Sequence, residues 1–183
     1  MQKKEIKKVL GVFQVNSGEI LISDPCYSLG TWCTQRIKVP LIGVWLAIVI
    51  IGTEDRIRVL EVECINPCDV AGTEISSVGR FLGEVGVDSG QLGIYDIKHF
   101  KDDDLISKLF DTGKACRILD LSSDSDLPGD KWYWFQCVRT LVEKASIIPY
   151  GVVSSSGYGD GNYPIEVWED KLGRVIKINV KFF

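Results

Sequence analysis

Histidine and methionine are the scarcest residues in this 183-residue chain, with one of each, His99 and Met1. A single histidine argues against a histidine-based catalytic triad and against histidine-rich zinc ligation. Its setting, Lys98-His99-Phe100-Lys101, predicts a surface position. Positive charge is also in short supply. Lys and Arg number 21 against 25 Asp and Glu, with a pI near 5.1, so no overall basic field draws nucleic acid. The early lysines Lys3, Lys4, Lys7 and Lys8 read as a solvated leader to the first strand. Long apolar runs are missing too. The most apolar segment, Leu41 to Ile51, falls far short of the roughly 20 residues a membrane helix needs. Val9 to Val15 is too short, and too interrupted by Gly11 and Gln14, for a signal peptide. These absences predict a cytoplasmic protein whose partner is neither nucleic acid nor membrane. No period of 20 to 50 residues repeats and no low-complexity linker divides the chain, so a single domain over 1–183 is expected, with self-association left open.

Without a signal peptide, the six cysteines at 26, 33, 64, 68, 116 and 137 read as reduced thiols, several of them packed as small hydrophobes. Cys26 with Cys33, or Cys64 with Cys68, could supply half a zinc site, but the spacings are loose for zinc and no metal is assigned.

What is present reads mainly as strand. Val9 to Asn16 and Glu19 to Ser23 flank a Ser17-Gly18 turn. Gly43 to Ile51, expected to be buried on both faces, and Ile57 to Ile65 flank a second polar turn. Within Ile57 to Ile65 the in–out pattern shifts along the strand, so its facing stays open. Further strands are predicted over Phe81 to Val87, Gln91 to Tyr95, Gly151 to Ser155, Tyr163 to Trp168 and Arg174 to Phe182. Two helices are predicted. One runs from Asp102 to Phe110, opened by three aspartates and stopped at Gly113. The other runs from Lys131 to Lys144, entered through Asp124-Ser125-Asp126-Leu127-Pro128, with Trp132, Phe135, Val138 and Leu141 as its apolar row. The fold class is therefore α+β, mainly β, with antiparallel sheets in a sandwich or partly open barrel and two short helices.

Three loops carry more polar and glycine residues than a plain hairpin needs. Ser23-Asp24-Pro25-Cys26-Tyr27 offers Asp24, Cys26 and Tyr27 where Pro25 must end a ladder. Gly86 to Gly93 offers Asp88, Ser89 and Gln91. The segment Ser154 to Pro164, SSSGYGDGNYP, offers Ser155, Tyr158, Asp160 and Tyr163, with alternating glycines that permit positive φ and can aim N–H groups at an anion. It lacks the lysine and helix of a phosphate loop, the context of a dinucleotide fingerprint, and the acidic spacing of a calcium loop.

D-P-C-Y, V-D-S-G, W-Y-x-x-x-C-x-x-T (Trp132 to Thr140) and S-S-S-G-Y-G-D-G-N-Y-P, in this order, resemble an uncharacterised domain-of-unknown-function family encoded by bacteria and phages. The resemblance implies an intracellular protein and brings no activity, cofactor or catalytic residue; it suggests that the loops of Asp24, Asp88 and Asp160 converge. Three functions are weighed. The first is binding of a small ligand, such as a nucleotide-derived immune signal sequestered by a phage-encoded sponge, with Tyr27, Tyr158 and Tyr163 stacking on a base. The second is metal-dependent phosphodiester hydrolysis through Asp24, Asp88 and Asp160. The third is an interaction or immunity protein acting through exposed aromatics, although the aromatics around Trp132 read first as core packing.

Overall fold

A computed structural model describes residues 5–39, 42–65, 78–120 and 129–183. In chain order the strands are β1 (Ile6–Val15), β2 (Glu19–Ser23), β3 (Gln35–Lys38), β4 (Gly43–Ile51), β5 (Ile57–Cys64), β6 (Arg80–Val87) and β7 (Gln91–Asp96). Helices α1 (Asp103–Ser107), α2 (Thr112–Leu119) and α3 (Lys131–Glu143) follow. The chain then closes with β8 (Ala145–Ile148), β9 (Gly151–Ser155), β10 (Gly161–Glu169) and β11 (Val175–Lys181). One sheet has the order β1-β4-β5-β11-β10-β6 and the other β3-β2-β7-β9-β8, with antiparallel pairing throughout. The fold is mainly-β α+β as expected, and the sheets do not close into a barrel.

Apolar side chains from both sheets, among them Trp45, Leu60, Val85, Ile94 and Ile165, fill the space between them. A second cluster, with Leu21, Tyr95, Ile106, Trp132 and Phe135, fills the space between the five-stranded sheet and the helices. Three layers result, sheet on sheet on helix, and the middle sheet is covered on both faces. Every residue of β7 is accordingly buried.

The strand orders contain a relation that no short period reveals. Leu10, Gly11, Val15, Ser17, Gly18, Ile22 and Asp24 recur at the same spacing as Leu82, Gly83, Val87, Ser89, Gly90, Ile94 and Asp96. The backbone repeats with them. In β1 the register against β4 shifts between Val9 and Gly11, and in β6 the register against β10 shifts between Phe81 and Gly83. Gly11 and Gly83 both hold positive φ there. Gly18 and Gly90 both turn their hairpins in the left-handed region, and their carbonyls accept from Val39 N–H (2.9 Å) and Ser156 N–H (3.0 Å). β1, β2, β3, β4 and β5 thus correspond to β6, β7, β9, β10 and β11. The two sets meet antiparallel at β2–β7 and at β5–β11, as a pseudo-twofold axis requires. The helices and β8 are inserted between β7 and β9 of the second set alone.

Several sequence expectations shift for physical reasons. Lys7 and Lys8 lie within β1 rather than in a leader, and Lys7 reaches buried Glu61 at 3.2 Å; Lys3 and Lys4 fall outside the described residues. β4 buries Trp45, Ala47 and Val49 inward, but Val44, Leu46 and Ile50 are only half-buried, because no described helix or sheet packs on the outer face of its sheet. The wavering pattern of β5 has a cause. Ile51 pairs with Ile57 and Ile50 with Val59, so Arg58 is an extra residue that flips the phase. Ile57, Leu60, Val62 and Cys64 all face the core as a result. Gly113 does not stop the first helix, which ends at Ser107; it sits in the first turn of α2, which sequence reading did not anticipate. In α3 a three-residue spacing drifts about 60° per step around the helix, so Leu141 ends opposite Trp132 and is 64% exposed. The buried stripe is Trp132, Phe135, Gln136, Cys137 and Thr140. Asp130 caps α3 by accepting from Tyr133 N–H at 2.8 Å, whereas Asp124 to Pro128, expected to begin the helix, lie outside the described residues.

Candidate functional site

Pro25 ends the ladder after β2, and Asp24 before it is fully buried. Its carboxylate is saturated. Oδ2 accepts from the N–H groups of Asp88 (2.8 Å) and Ser89 (2.7 Å), and Oδ1 from Cys26 N–H (2.7 Å) and Ser89 Oγ (2.7 Å). The first motif loop is thereby fastened to the second. The third joins through Asp160, whose Oδ1 accepts from Gly90 N–H at 3.0 Å. Tyr163 steadies that loop from beneath, its hydroxyl 2.6 Å from the Gly159 carbonyl and 3.0 Å from that of Ser156. Sheet-edge strand β6 is roofed by the Asp24–Thr34 loop, where Gly86 N–H donates to the Cys33 carbonyl at 2.9 Å. The three loops of Asp24, Asp88 and Asp160 converge.

Beside this junction lies a cavity of about 360 Å³ whose wall includes Tyr27, Trp32, Cys33, Asp88 and Asn162. Trp32 stands at its rim 90% exposed, an unusual position for so large an apolar surface. Among the described residues no lysine or arginine lines it. Burial, then hydrogen bonding to Cys33 and Asp88 and their charges, holds the Tyr27 phenol well above the usual range, so it stays a neutral donor. The nearby Cys26 thiol is pushed up to about 12 by burial first and by its bond to Asp24 and the charges of Asp24 and Asp88, against a small opposing effect of Lys101. A thiol so disposed is no nucleophile at neutral pH. The arrangement suits recognition by an aromatic surface, a carboxylate acceptor and an amide rather than covalent chemistry.

The ten residues singled out from sequence divide by role. Tyr27 and Asp88 line the cavity. Asp24, Ser89, Asp160 and Tyr163 fasten the loops around it. Cys26 is exposed at the loop's start. Ser155 ends β9, its N–H donating to the Lys144 carbonyl at 2.7 Å. Gln91 turns toward α3, accepting from Thr140 Oγ1 at 3.0 Å and donating to Cys137 Sγ at 3.2 Å. Tyr158 packs on Phe183 and under Arg56 instead. Trp32, Cys33 and Asn162 were missed. A tryptophan in the turn-rich stretch Gly30-Thr31-Trp32-Cys33, where no strand could bury it, was the available signal.

His99 is not the free surface residue its lysine neighbours suggest. Its ring stacks on Tyr150 with centroids 3.8 Å apart, and Nδ1 lies 3.6 Å from Asp102 Oδ2. Asp102 also caps α1 through Leu105 N–H at 3.0 Å, so the aspartate run is a helix start, as expected. Among the described residues no three His, Cys, Asp or Glu side chains gather closely enough to hold a metal ion; Cys68 lies outside them. No described helix is long and apolar enough to cross a membrane. No family model, curated protein or solved structure matches the chain.

Proposed function

We propose that this protein binds a small polar ligand in the cavity beside the Asp24 junction. The observation that carries the reading is the exposed Trp32 set beside Tyr27, Asp88 and Asn162 in one concavity. An aromatic face rewards a flat or CH-rich ligand surface, while a carboxylate and an amide choose among hydroxyl and amino groups. A nucleotide-derived ligand would lay its base on Trp32 and its ribose hydroxyls toward Asp88 and Asn162. Its phosphates find no cation among the described residues of the wall, and Asp88 repels them, so the nucleoside portion is the part this cavity favours. Sequestration of such a molecule as an immune signal is the biological role this reading proposes.

The hydrolytic alternative draws less support from the geometry. Both oxygens of Asp24 are occupied by four donors and one oxygen of Asp160 by Gly90 N–H, and Asp88, which meets the Tyr27 hydroxyl, is the one of the three that lines the cavity. The deciding experiment titrates the whole protein calorimetrically with nucleosides, their phosphates and simple sugars, then denatures it and chromatographs the mixture. Nucleoside binding that weakens with each phosphate, and is lost in Trp32→Ala without a change in Tm, is the expected result. Equal binding by Trp32→Ala, or no binding by any member, removes the reading. Recovery of a new product supports hydrolysis instead.

A further inference from the structure

The pseudo-twofold relates two surfaces as well as two hairpins. Gly86 of β6 corresponds to Gln14 of β1, and Tyr27, three residues past Asp24, corresponds to His99, three past Asp96. Over Gly86 the chain closes down: a Cβ placed there would stand 3.0 Å from the Cys33 side chain. Over Gln14 it does not. Gln14 lines a cavity of about 560 Å³ bounded by edge strand β1, by Leu109 after α1, by α3 and by the β8–β9 turn, where Tyr150 stacks on His99. The insertion that only the second half carries supplies most of this wall.

The lining is largely apolar, and among the described residues it holds one ionic side chain, Arg139. The guanidinium lies 6.0 Å from the centre of the Phe135 ring. Nη1 is 3.4 Å from Glu143 Oε1, and Nη2 donates to the Ile147 carbonyl across a long 3.4 Å. Nε is buried and has no hydrogen-bond partner among the described residues. Nε is closed to solvent, so a ligand reaches this half-buried side chain through Nη1 and Nη2. Both Nη atoms are held only by long 3.4 Å contacts, in a cavity of a size that holds small organic ligands.

We propose that this cavity is a second binding site, separate from the Trp32 cavity, for a small carboxylic acid with an apolar body. The carboxylate pairs with Nη1 and Nη2 of Arg139, and the body packs against Phe135, Leu109 and Ile147. The two cavities have diverged in charge, one walled by Asp88 and the other by Arg139.

The test is calorimetric titration of the full chain with phenylacetate, hexanoate and the neutral 2-phenylethanol. One equivalent of phenylacetate or hexanoate is expected to bind, with 2-phenylethanol about tenfold or more weaker for want of the ionic pair. Arg139→Gln should weaken phenylacetate by a similar factor while keeping its Tm. Glu143→Gln, which removes the competing carboxylate, should tighten it. Asp88→Asn should leave it unchanged, which separates this site from the first. Absence of binding by either acid, no preference for the acid over the alcohol, or equal affinity in Arg139→Gln overturns the proposal. Should Arg139→Gln fail to fold, unchanged affinity in Glu143→Gln overturns it.

Discussion

The carboxylates of Asp24 and Asp96 each cap the turn of the hairpin that carries the other. Asp24, at the end of β2, accepts from the N–H groups of Asp88 and Ser89 in the β6–β7 turn, and Asp96, at the end of β7, accepts from Asn16 (2.6 Å) and Ser17 (3.1 Å) in the β1–β2 turn. Each also accepts, on its other oxygen, from the N–H two residues on, Cys26 (2.7 Å) or Lys98 (3.0 Å). Both are fully buried. A charged acceptor bonded to several backbone donors satisfies groups that would otherwise be stranded in the interior.

Asp24→Ala and Asp96→Ala should therefore destabilise by similar amounts, about 3 kcal/mol or more each, since each strands buried N–H groups. Asp24 holds one further donor, Ser89 Oγ, so its loss should be the larger. Urea denaturation of both variants measures this. A negligible effect of either would deny that the two clamps hold the hairpins together.

Glu61 gives the protein an acid-sensitive seam on the outer face of the six-stranded sheet. Burial works to raise its pKa, but the ammonium groups of Lys177 (2.7 Å) and Lys7 (3.2 Å) outweigh this and hold it below the usual carboxylate range. A carboxylate lowered on folding contributes stability that is present above the unfolded value, about 4.3, and is lost as pH falls through the folded one. Glu61→Gln should be less stable than the parent at pH 7, with the gap closing below about pH 4. Thermal melts of both proteins across that range check the sign.

Cys26 should resist alkylation despite its exposure. A thiol at about 12 carries on the order of a thousandfold less thiolate at pH 8 than an ordinary one. Iodoacetamide labelling read by peptide mass spectrometry should find the Cys26 peptide slow by two to three orders of magnitude relative to a free thiol. Asp88→Asn should speed it, because one of the charges opposing ionisation is gone. Rapid labelling of the parent protein would contradict the account of the loop.

Gln136 is fully buried in α3, and both atoms of its amide lack hydrogen-bond partners among the described residues. Gln136→Met keeps the length and removes the unpaired polar group, so it should stabilise by about 1 kcal/mol, a rise of a few degrees in Tm. A fall in Tm would mean the amide is satisfied within the fold.

Local signals carried most of the strands. Ser17-Gly18 and Ser89-Gly90 announce hairpins because glycine alone turns freely at positive φ, and the aspartates before Leu105 announce a helix because its first N–H groups need acceptors. Strands β3 and β8 were not legible, being only four residues long with too few alternations to register. Helix α2 was hidden by Gly113, which reads as a stop although the first turn of a helix tolerates it.

The repeat was also written in the chain, at a separation longer than the periods that mark solenoids, but its meaning was not. Sequence by itself determined the antiparallel class, the three polar loops and the scarcity of catalytic bases, since these depend on residue type and near neighbours. Only the tertiary structure decided that Asp24 is a clamp rather than a ligand, that Asp88 lines a cavity beside Tyr27 and Trp32, and that His99 is pinned on Tyr150. Those roles depend on which distant backbone donors consume a carboxylate's lone pairs, and chain folding alone brings the donors there.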